Sequence, residues 1–223
     1  MFTSLSFSNF RGFERLELGG LKRVNLVVGR NNAGKTSLLE SVCVLLRLQS
    51  PDVIHSFWAP GLGGKRDVTA GHITRIAFTA DSLGEVAGQC AEFCGLSHAN
   101  MRLRVVVDAD SAFQGWVKRQ QGSAAVPARG SVEERGQQAF ARGACIACHT
   151  IAGIPQARGT IGPNLTHVGS RAMVAGAMLP NTEAWLRRWI TDAPGLKPGS
   201  LMPAMPLPDD QLTALVAYLK SLQ

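Results

Sequence analysis

The sequence predicts a multi-domain α+β chain, with strands in its first half and an all-α domain at its end. Three observations support this prediction. Residues 48–118 consist of short β-type runs separated by glycine and proline. Residues 121–131 are mostly small residues with proline and glycine, which bury little surface and indicate a linker. Residues 132–223 then show helical periodicity at both ends, over Glu133–Arg142 and Asp209–Leu222.

The first half contains several individual elements. Phe2–Phe10 alternates between apolar and polar residues, which predicts a strand. A short β-branched run predicts a second strand at Arg23–Val28, and the apolar spacing of Thr36–Leu46 predicts a helix. The remaining predicted elements are strands at Val53–Trp58, Ile73–Thr79 and Leu103–Val107 and a helix within residues 111–120.

The composition is that of a folded protein without a nucleic-acid-binding tail. The chain has 223 residues, of which 45% are apolar and 17% charged, so it contains enough apolar side chains for a core. Its formal net charge is +7, but basic residues occur at most as pairs such as Lys22-Arg23 and Arg187-Arg188. A nucleic-acid-binding tail would concentrate them in longer runs. We therefore expect no nucleic-acid partner and attribute the charge to a solvated surface.

Two absences bear on localisation. Met1–Arg11 lacks the charged start and the long apolar run of a secretory signal. No stretch of about 18 or more uncharged apolar residues occurs, so the sequence predicts no transmembrane helix.

The five cysteines favour metal or cofactor chemistry over disulfides. Four of them form two close pairs, Cys90 with Cys94 and Cys145 with Cys148, and Cys43 stands alone. An odd number of cysteines in a chain of this length does not indicate a disulfide framework. Each pair also has a histidine next to it or just beyond it, which is typical of metal or cofactor sites.

The pair Cys145 and Cys148 is followed directly by His149, in the C-x-x-C-H spacing of a c-type haem attachment site. On one helical turn the two sulfurs can reach the two vinyl groups of one porphyrin, and the next residue places its imidazole on the iron. The alternatives are a chance pentapeptide or half of a zinc site. The spacing favours haem, with two covalent attachment residues and His149 as an axial ligand.

The order of motifs around this site resembles class I cytochromes c over residues 132–223. The motifs are a glycine-bearing helix (Gly136–Ala141), Gly162-Pro163-Asn164-Leu165, Met202-Pro203 and a terminal helix ending in Val216–Leu219. The resemblance implies that Met202 is the sixth iron ligand, with Met205 as its rival, and that a His/Met pair raises the reduction potential. It also implies that Pro163 lies against His149 and that a nearby backbone carbonyl binds the Nδ1 proton of this histidine.

The other cysteine pair belongs to a cluster of two thiolates, an imidazole and a thioether within twelve residues, at Cys90, Cys94, His98 and Met101. Soft sulfur combined with imidazole is a copper ligand set, and two cysteines at i and i+4 on a loop can bridge two metal ions. A zinc site would require four nitrogen or sulfur ligands in a closed tetrahedron, in which a methionine would be out of place. The cluster therefore predicts copper.

The stretch Cys90–Met101 is similar to the CuA loop of cytochrome c oxidase subunit II, and so are Ser50–Trp58 and Leu62–Lys65 upstream. The six copper positions implied by the resemblance are His55, Cys90, Glu92, Cys94, His98 and Met101. In this family the two cysteines bridge a pair of copper ions. The resemblance gives Glu92 a backbone-carbonyl bond to copper and makes its side chain the candidate for a magnesium site at the subunit I interface.

A subunit II with a cytochrome c domain fused behind it is the arrangement of caa3-type oxidases, and the motifs from about residue 47 to 223 follow that order. The resemblance implies an electron relay from an external cytochrome c or equivalent donor, through haem c and the dinuclear copper centre, to subunit I. The chain would then be part of an oxidoreductase and translocase without catalysing a reaction by itself. The family's sites lie on the periplasmic, outer face of the cytoplasmic membrane.

The start of the chain carries a different motif. Gly29, Gly34, Lys35 and Thr36 satisfy the phosphate-binding pattern G-x-x-x-x-G-K-[ST], between a predicted strand and a predicted helix. In this pattern Lys35 reaches the β- and γ-phosphates and Thr36 holds Mg²⁺. With Asn9–Gly12 the motif resembles the start of ATPases of the SMC, RecF and OLD-nuclease type. The Walker B strand and the signature motif are missing, so ATP is not expected as a cofactor.

The expected domains are a P-loop ATPase-like fragment (1–46), a partial CuA domain (47–120), a linker (121–131) and a cytochrome c domain (132–223). The expected fold is an incomplete cupredoxin-like β-barrel segment followed by an all-α class I cytochrome c domain, preceded by a short P-loop β-β-α fragment. Two other functions stay open, a free-standing cytochrome c electron carrier with a non-functional N-terminal half and an ATP-binding fragment. Copper content and tight Mg-ATP binding distinguish these functions.

Overall fold

The computed structural model describes residues 4–10, 13–19, 44–78, 80 and 82–223. Strand β1 (Ser4–Phe10) confirms the strand predicted at Phe2–Phe10. It pairs antiparallel with β2 (Phe13–Gly19), a strand that was not predicted. The strand predicted at Arg23–Val28 and the phosphate-binding pattern at residues 29–36 lie outside the described residues.

Strand β3 (Val44–Leu48) corrects the end of the helix predicted at Thr36–Leu46. An apolar run of this kind fits a buried helix and a buried strand alike, so its partner decides between them. β3 pairs antiparallel with β6 (Thr74–Phe78), and Leu46 lies opposite the buried Ile76. The hydrogen bonds of this pairing favour the strand. The periodicity of the run alone does not reveal them.

The copper-motif residues belong to a four-stranded antiparallel sheet in the order β5-β4-β7-β8. Its strands are β4 (His55–Trp58), β5 (Arg66–Val68), β7 (Gly84–Cys90) and β8 (Arg102–Val107). The structure thus confirms the three strands predicted in this part of the chain, as β4, β6 and β8. Gly88 in β7 is required by the packing, because a Cβ there would lie 2.6 Å from the carbonyl oxygen of Trp58 and 2.7 Å from Cδ1 of Leu103.

Helix α1 (Asp110–Gln120) confirms the predicted helix after the sheet, and none of its side chains is buried. Residues 121–131 contain no helix or strand. They are nevertheless tied to the following domain. The backbone N–H of Ala124 donates to the carbonyl oxygen of Ala152 at 2.9 Å, and the carbonyl oxygen of Gly122 lies 3.1 Å from Nε2 of His167.

The C-terminal domain is mainly helical. Within residues 132–223 its helices are α2 (Val132–Arg142), α3 (Cys145–Cys148), α4 (Glu183–Thr191), α5 (Ala193–Leu196) and α6 (Asp209–Ser221). The all-α prediction omits an antiparallel hairpin of two-residue strands, β9 (Met173–Val174) and β10 (Leu179–Pro180). The helices predicted at both ends of the domain are confirmed as α2 and α6.

The core of this domain forms where α2 crosses α6. Gly136 allows the crossing, because a Cβ there would collide with the backbone of Ala214 and lie 2.6 Å from Cβ of Tyr218. One turn later Phe140 packs against Tyr218 with ring centroids 6.4 Å apart, and both side chains are buried. The buried core continues through Ile151, Leu186, Ile190, Leu215 and Leu222.

Among the described residues, none of the helices has both the length and the apolar composition needed to cross a membrane.

Candidate copper and haem sites

The sheet brings the copper-motif residues together from three places in the chain. His55 begins β4 and Cys90 ends β7, and the pairing of these two strands places Phe57 opposite Cys90. Cys94 lies in the loop that follows. His98 begins a short 3-10 turn, and Met101 immediately precedes β8. We refer to residues 90–101 as the copper loop.

The side chains of this set contact one another through their ligand atoms. Sγ of Cys90 lies 3.8 Å from Nδ1 of His55 and 3.9 Å from Sγ of Cys94. Sγ of Cys94 lies 3.4 Å from Nδ1 of His98 and 3.8 Å from Sδ of Met101. The ligand atoms of His55, Cys90 and Cys94 all lie within 4.8 Å of one another, the separation expected of groups that share a metal centre.

Glu92 enters the cluster through its backbone. Its carbonyl oxygen lies 3.2 Å from Sγ of Cys90, whereas its side chain is exposed. No described contact of that side chain bears on the predicted magnesium site, which stays a prediction.

His55 has a carboxylate partner that the sequence analysis did not identify. Oδ1 of Asp52 lies 2.9 Å from Nε2 of His55. The hydrogen bond to this histidine, with that from Ser50, lowers the pKa of the Asp52 carboxyl, so the carboxylate accepts and Nε2–H donates. This fixes the tautomer and leaves the lone pair of Nδ1 facing Cys90. The spacing of three residues could have suggested the pair, because aspartate and histidine at this distance can meet on a turn.

The electrostatics of the cluster favour thiolate at Cys90. Burial raises the pKa of this thiol, but hydrogen bonds with backbone groups of Ser56 and Glu92, together with His55 and Cys94, bring it down to about 7. Burial and the neighbouring Cys90 raise the pKa of Cys94. Because the thiolate is the form that binds metal, Cys90 is the cysteine better prepared to ligate near neutral pH.

The backbone of the copper loop is tightly turned. The N–H of His98 donates to the carbonyl of Gly95 at 3.2 Å, and the N–H of Asn100 donates to that of Ser97 at 2.8 Å. Gly95 has φ 101° and Ser97 has φ 60°, so both residues are left-handed. At the base of the loop the N–H of Cys90 donates to the carbonyl of Met101 at 2.8 Å. These bonds close the loop upon itself and direct its side chains towards the cluster.

The donor set suits copper. Two cysteine sulfurs, two imidazole nitrogens and a thioether are soft or intermediate ligands, which copper prefers over the oxygen ligands of magnesium or calcium. His55, Cys90, Cys94, His98 and Met101 would supply these side-chain atoms, with the carbonyl oxygen of Glu92 as a sixth group.

The haem motif lies on one helical turn. α3 runs from Cys145 to Cys148, and the N–H of His149 still donates to the carbonyl of Cys145 at 2.9 Å. Nδ1 of His149 lies 2.8 Å from the carbonyl oxygen of Pro163. A carbonyl oxygen can only accept, so Nδ1 carries the proton and Nε2 keeps its lone pair for a metal.

A glycine next to Pro163 fixes the imidazole ring. A Cβ at Gly162 would lie 2.7 Å from Nδ1 of His149, and the N–H of Gly162 donates to the carbonyl of Cys148 at 2.7 Å. The backbone at this glycine therefore lies directly against the ring. Larger side chains at this position would displace the histidine.

The surroundings suit a porphyrin. Ile161 is 73% exposed and Leu201 is 88% exposed, and these two apolar residues directly adjoin Gly162 and Met202. Exposed apolar side chains next to both proposed iron-ligand segments are what an apolar cofactor would cover. Met202 and Met205 are both half-buried and both pack against the core, so the choice between them as sixth ligand stays a prediction.

Three family models match the chain. The model for cytochrome c matches residues 133–223, and the model for the periplasmic domain of cytochrome c oxidase subunit II matches residues 31–109. The chain thus joins an oxidase subunit II domain to a cytochrome c domain. A model for an AAA domain matches residues 4–57 and overlaps the subunit II match. The nucleotide-site candidates Gly29, Gly34, Lys35 and Thr36 fall in this part of the chain and lie outside the described residues.

The curated relatives that match include two bacterial proteins named cytochrome c oxidase subunit 2. The chain is 37% identical over 181 residues to cytochrome c oxidase subunit 2 of Alkalihalophilus pseudofirmus, covering 81% of this chain and 52% of that protein. It is 32% identical over 221 residues to the subunit 2 of Bacillus sp. PS3, covering 95% of this chain and 59% of that protein. The chain therefore spans between half and two thirds of the length of these relatives.

Among solved structures, the chain is similar to the periplasmic domain of cytochrome oxidase subunit II of Bradyrhizobium japonicum, with 35% sequence identity. The match covers 34% of this chain and 56% of that structure, with a TM-score of 0.34. The subunit II and cytochrome c domains point to copper and haem c as the cofactors of this chain.

Proposed function

We propose that this chain transfers electrons from a cytochrome c-type donor, through haem c and a dinuclear CuA centre, to subunit I of a haem-copper oxidase. The proposal places the chain on the periplasmic face of the membrane. The two cofactors, when bound, supply one-electron redox centres that change little in ligation between their two states.

One observation carries the proposal. Sulfur and imidazole atoms of His55, Cys90, Cys94, His98 and Met101 contact one another in sequence, over distances of 3.4–3.9 Å. Residues from β4, from the end of β7 and from the following loop meet there, which a chance motif would not require. The same chain carries a C-x-x-C-H turn whose histidine is held by a carbonyl.

The residues have separate roles in this proposal. Cys145 and Cys148 attach the haem, His149 and Met202 bind its iron, and the protonated Nδ1 of His149 keeps the ring oriented on Pro163. Cys90 and Cys94 would hold the copper together with His55, and the carboxylate of Asp52 orients the ring of His55. Glu92 contributes its carbonyl oxygen, and its exposed side chain is the candidate for magnesium at the interface with subunit I.

The proposal is tested by counting both cofactors in the full chain after export in a host that assembles haem c. We expect haem that resists acid–acetone extraction and about two copper ions per chain, visible as a coupled paramagnetic spectrum. Cys148→Ala should reduce haem attachment and leave copper unchanged, whereas Cys94→Ala should do the reverse.

Other outcomes assign other functions. Haem without copper in the wild-type chain would favour the free-standing cytochrome c carrier and contradict the relay. Tight binding of Mg-ATP, lost in Lys35→Ala, would favour the ATP-binding fragment.

A further inference from the structure

We propose that the cytochrome c domain forms part of the copper site of the same chain, because residues 192–200, here called the supporting segment, hold Ser97 next to the ligand His98. This inference rests on the proposed copper function. In this proposal the supporting segment positions the copper loop.

Two successive residues on each side make the contact. Oγ of Ser97 donates to the carbonyl oxygen of Pro198 at 2.6 Å, across a sequence separation of 101 residues. The neighbouring Leu96 meets Gly199, where an added Cβ would lie 3.0 Å from Cβ of Leu96. Leu96 still remains 77% exposed, so the contact is narrow. Its strength therefore depends mainly on the Ser97 hydrogen bond.

On the copper side, Ser97 immediately precedes His98, so its backbone conformation sets the position of that histidine. The left-handed backbone of Ser97, at φ 60°, is unfavourable for a residue with a side chain. The bond to Pro198 offsets this. Because His98 follows immediately and its Nδ1 lies 3.4 Å from Sγ of Cys94, a change in the direction of the chain at Ser97 moves a copper ligand.

On the other side, the supporting segment is fixed to the core of its own domain. Ala193 is fully buried, and its carbonyl accepts the N–H of Lys197 at 2.9 Å. The ammonium group of Lys197 donates to the carbonyl of Ala175 at 2.9 Å, in the turn between β9 and β10. Oδ1 of Asp192 accepts the N–H of Gly195 at 2.9 Å. The carbonyl of Pro198 is therefore presented by a rigid frame.

Such a contact couples the two regions in both directions. If the supporting segment orders the copper loop, then copper binding must order the supporting segment by the same free energy, because binding linkage is reciprocal. Met202, the proposed iron ligand, lies two residues beyond the end of this segment. A mere accidental contact between neighbouring surfaces would show no such reciprocity.

Amide hydrogen exchange of the metal-free full chain tests the contact itself. The reporting amides are those of Leu196, Lys197, Ser200, His98, Asn100 and Met101, which all donate backbone hydrogen bonds in the two segments. Loss of one hydrogen bond should speed their exchange about fivefold. Ser97→Ala and Ser97→Gly both remove the hydroxyl, but glycine relieves the left-handed backbone and alanine does not. Faster exchange in both variants assigns the effect to the hydroxyl.

Ser123→Ala is the matched control, because Ser123 is exposed in the linker and its replacement removes a hydroxyl outside the contact. It should exchange like the wild-type chain. Equal exchange of the supporting segment in the wild type and in both Ser97 variants would overturn the proposal.

Titration with copper tests the coupling. Copper should slow exchange at Lys197 and Ser200 in the wild type, and this protection should disappear in Ser97→Gly, whose copper spectrum should also change because His98 has moved. Copper that binds the wild type without protecting the supporting segment would contradict the coupling. A chain that binds no copper, yet exchanges faster when Ser97 is replaced, would contradict the proposed copper function and leave the contact established.

Discussion

The two cofactor regions of this chain differ in what holds them together. The cytochrome c domain has a continuous buried core, centred on the crossing of α2 and α6, where Phe140 and Tyr218 are nearly or fully buried. The copper loop has one buried candidate ligand, Cys90, and its Met101 is 40% exposed. The comparison teaches that one site is set into a packed domain, whereas the other is formed by loop ligands that depend on one another and on neighbouring segments.

Replacement of a cysteine in the copper cluster should have the strongest effect on copper binding. Cys90→Ser replaces the buried sulfur that contacts both His55 and Cys94, and we expect copper content to fall close to zero while the haem stays attached. Metal analysis and the haem absorption spectrum of the same sample measure both. Met101→Leu, which removes an exposed thioether, should lose less copper. Equal copper in Cys90→Ser and the wild type would show that the metal lies elsewhere.

In the cytochrome c domain, a substitution at the crossing of α2 and α6 should cost the most stability. Gly136→Ala places a Cβ against the backbone of Ala214, which cannot move away as a flexible side chain could. Overpacking of this kind costs about 1–3 kcal/mol, and the melting temperature of the cytochrome c domain should fall by roughly 5–20 °C. The haem absorption band during heating gives the measurement.

Gly115→Ala is the matched control for that substitution. Gly115 also lies inside a helix, but its added Cβ would meet only the end of the Arg119 side chain at 3.4 Å. Alanine should therefore be neutral or stabilise α1 by about 0.5–1 kcal/mol. Similar melting temperatures for Gly136→Ala and the wild type would refute the close crossing of α2 and α6.

Removal of the carboxylate beside His55 should weaken copper binding without abolishing it. Asp52→Ala removes the carboxylate that holds Nε2–H of His55, and loss of such a partner weakens metal binding by about 10–100-fold. Competition with a chelator of known affinity measures the change. Asp67→Ala, which removes an exposed carboxylate from the neighbouring strand β5, should leave affinity unchanged. If both variants weaken copper binding equally, the cause is the change in net charge rather than the orientation of His55.

Loss of the cap at the start of α2 should have a modest effect on the stability of the cytochrome c domain. Ser131 caps the start of α2, where its Oγ accepts the N–H of Glu134 at 3.1 Å, so Ser131→Ala should destabilise the domain by about 1 kcal/mol. Thermal unfolding followed at the haem band is again the measurement. Ser111→Ala in α1, whose start has no side-chain cap, is the control and should change little. Copper content should be the same in both variants.

Local motifs were predictable because their residues are close together in sequence. The haem motif spans five adjacent residues, and five of the six copper candidates lie within Cys90–Met101. The strand β4, the helix α1 and the terminal helix α6 also follow from local periodicity. The metal assignments themselves stay predictions until the metals are measured.

What the sequence could not provide depends on contacts between distant residues. The end of the helix predicted at Thr36–Leu46 is part of strand β3, because β6 pairs with it. Periodicity within one segment carries no information about such a partner strand. His55 joins the copper residues through the pairing of β4 with β7, so the sequence placed it there only through resemblance to a family. The bond from Ser97 to Pro198 had no local signal at all, since these residues are 101 positions apart.

The ties at the start of the linker limit how freely the haem domain can travel. A chain extended over residues 121–131 would reach roughly 36–40 Å, enough for a swinging carrier that alternates between distant docking places. Here α1 ends at Gln120, while Gly122 and Ala124 already contact the following domain. The free connection between α1 and the following domain is therefore reduced to about one residue, Gln121. A connection this short would keep a haem attached at Cys145 and Cys148 at a high local concentration near the copper loop, so that electron delivery within the chain would not depend on protein concentration.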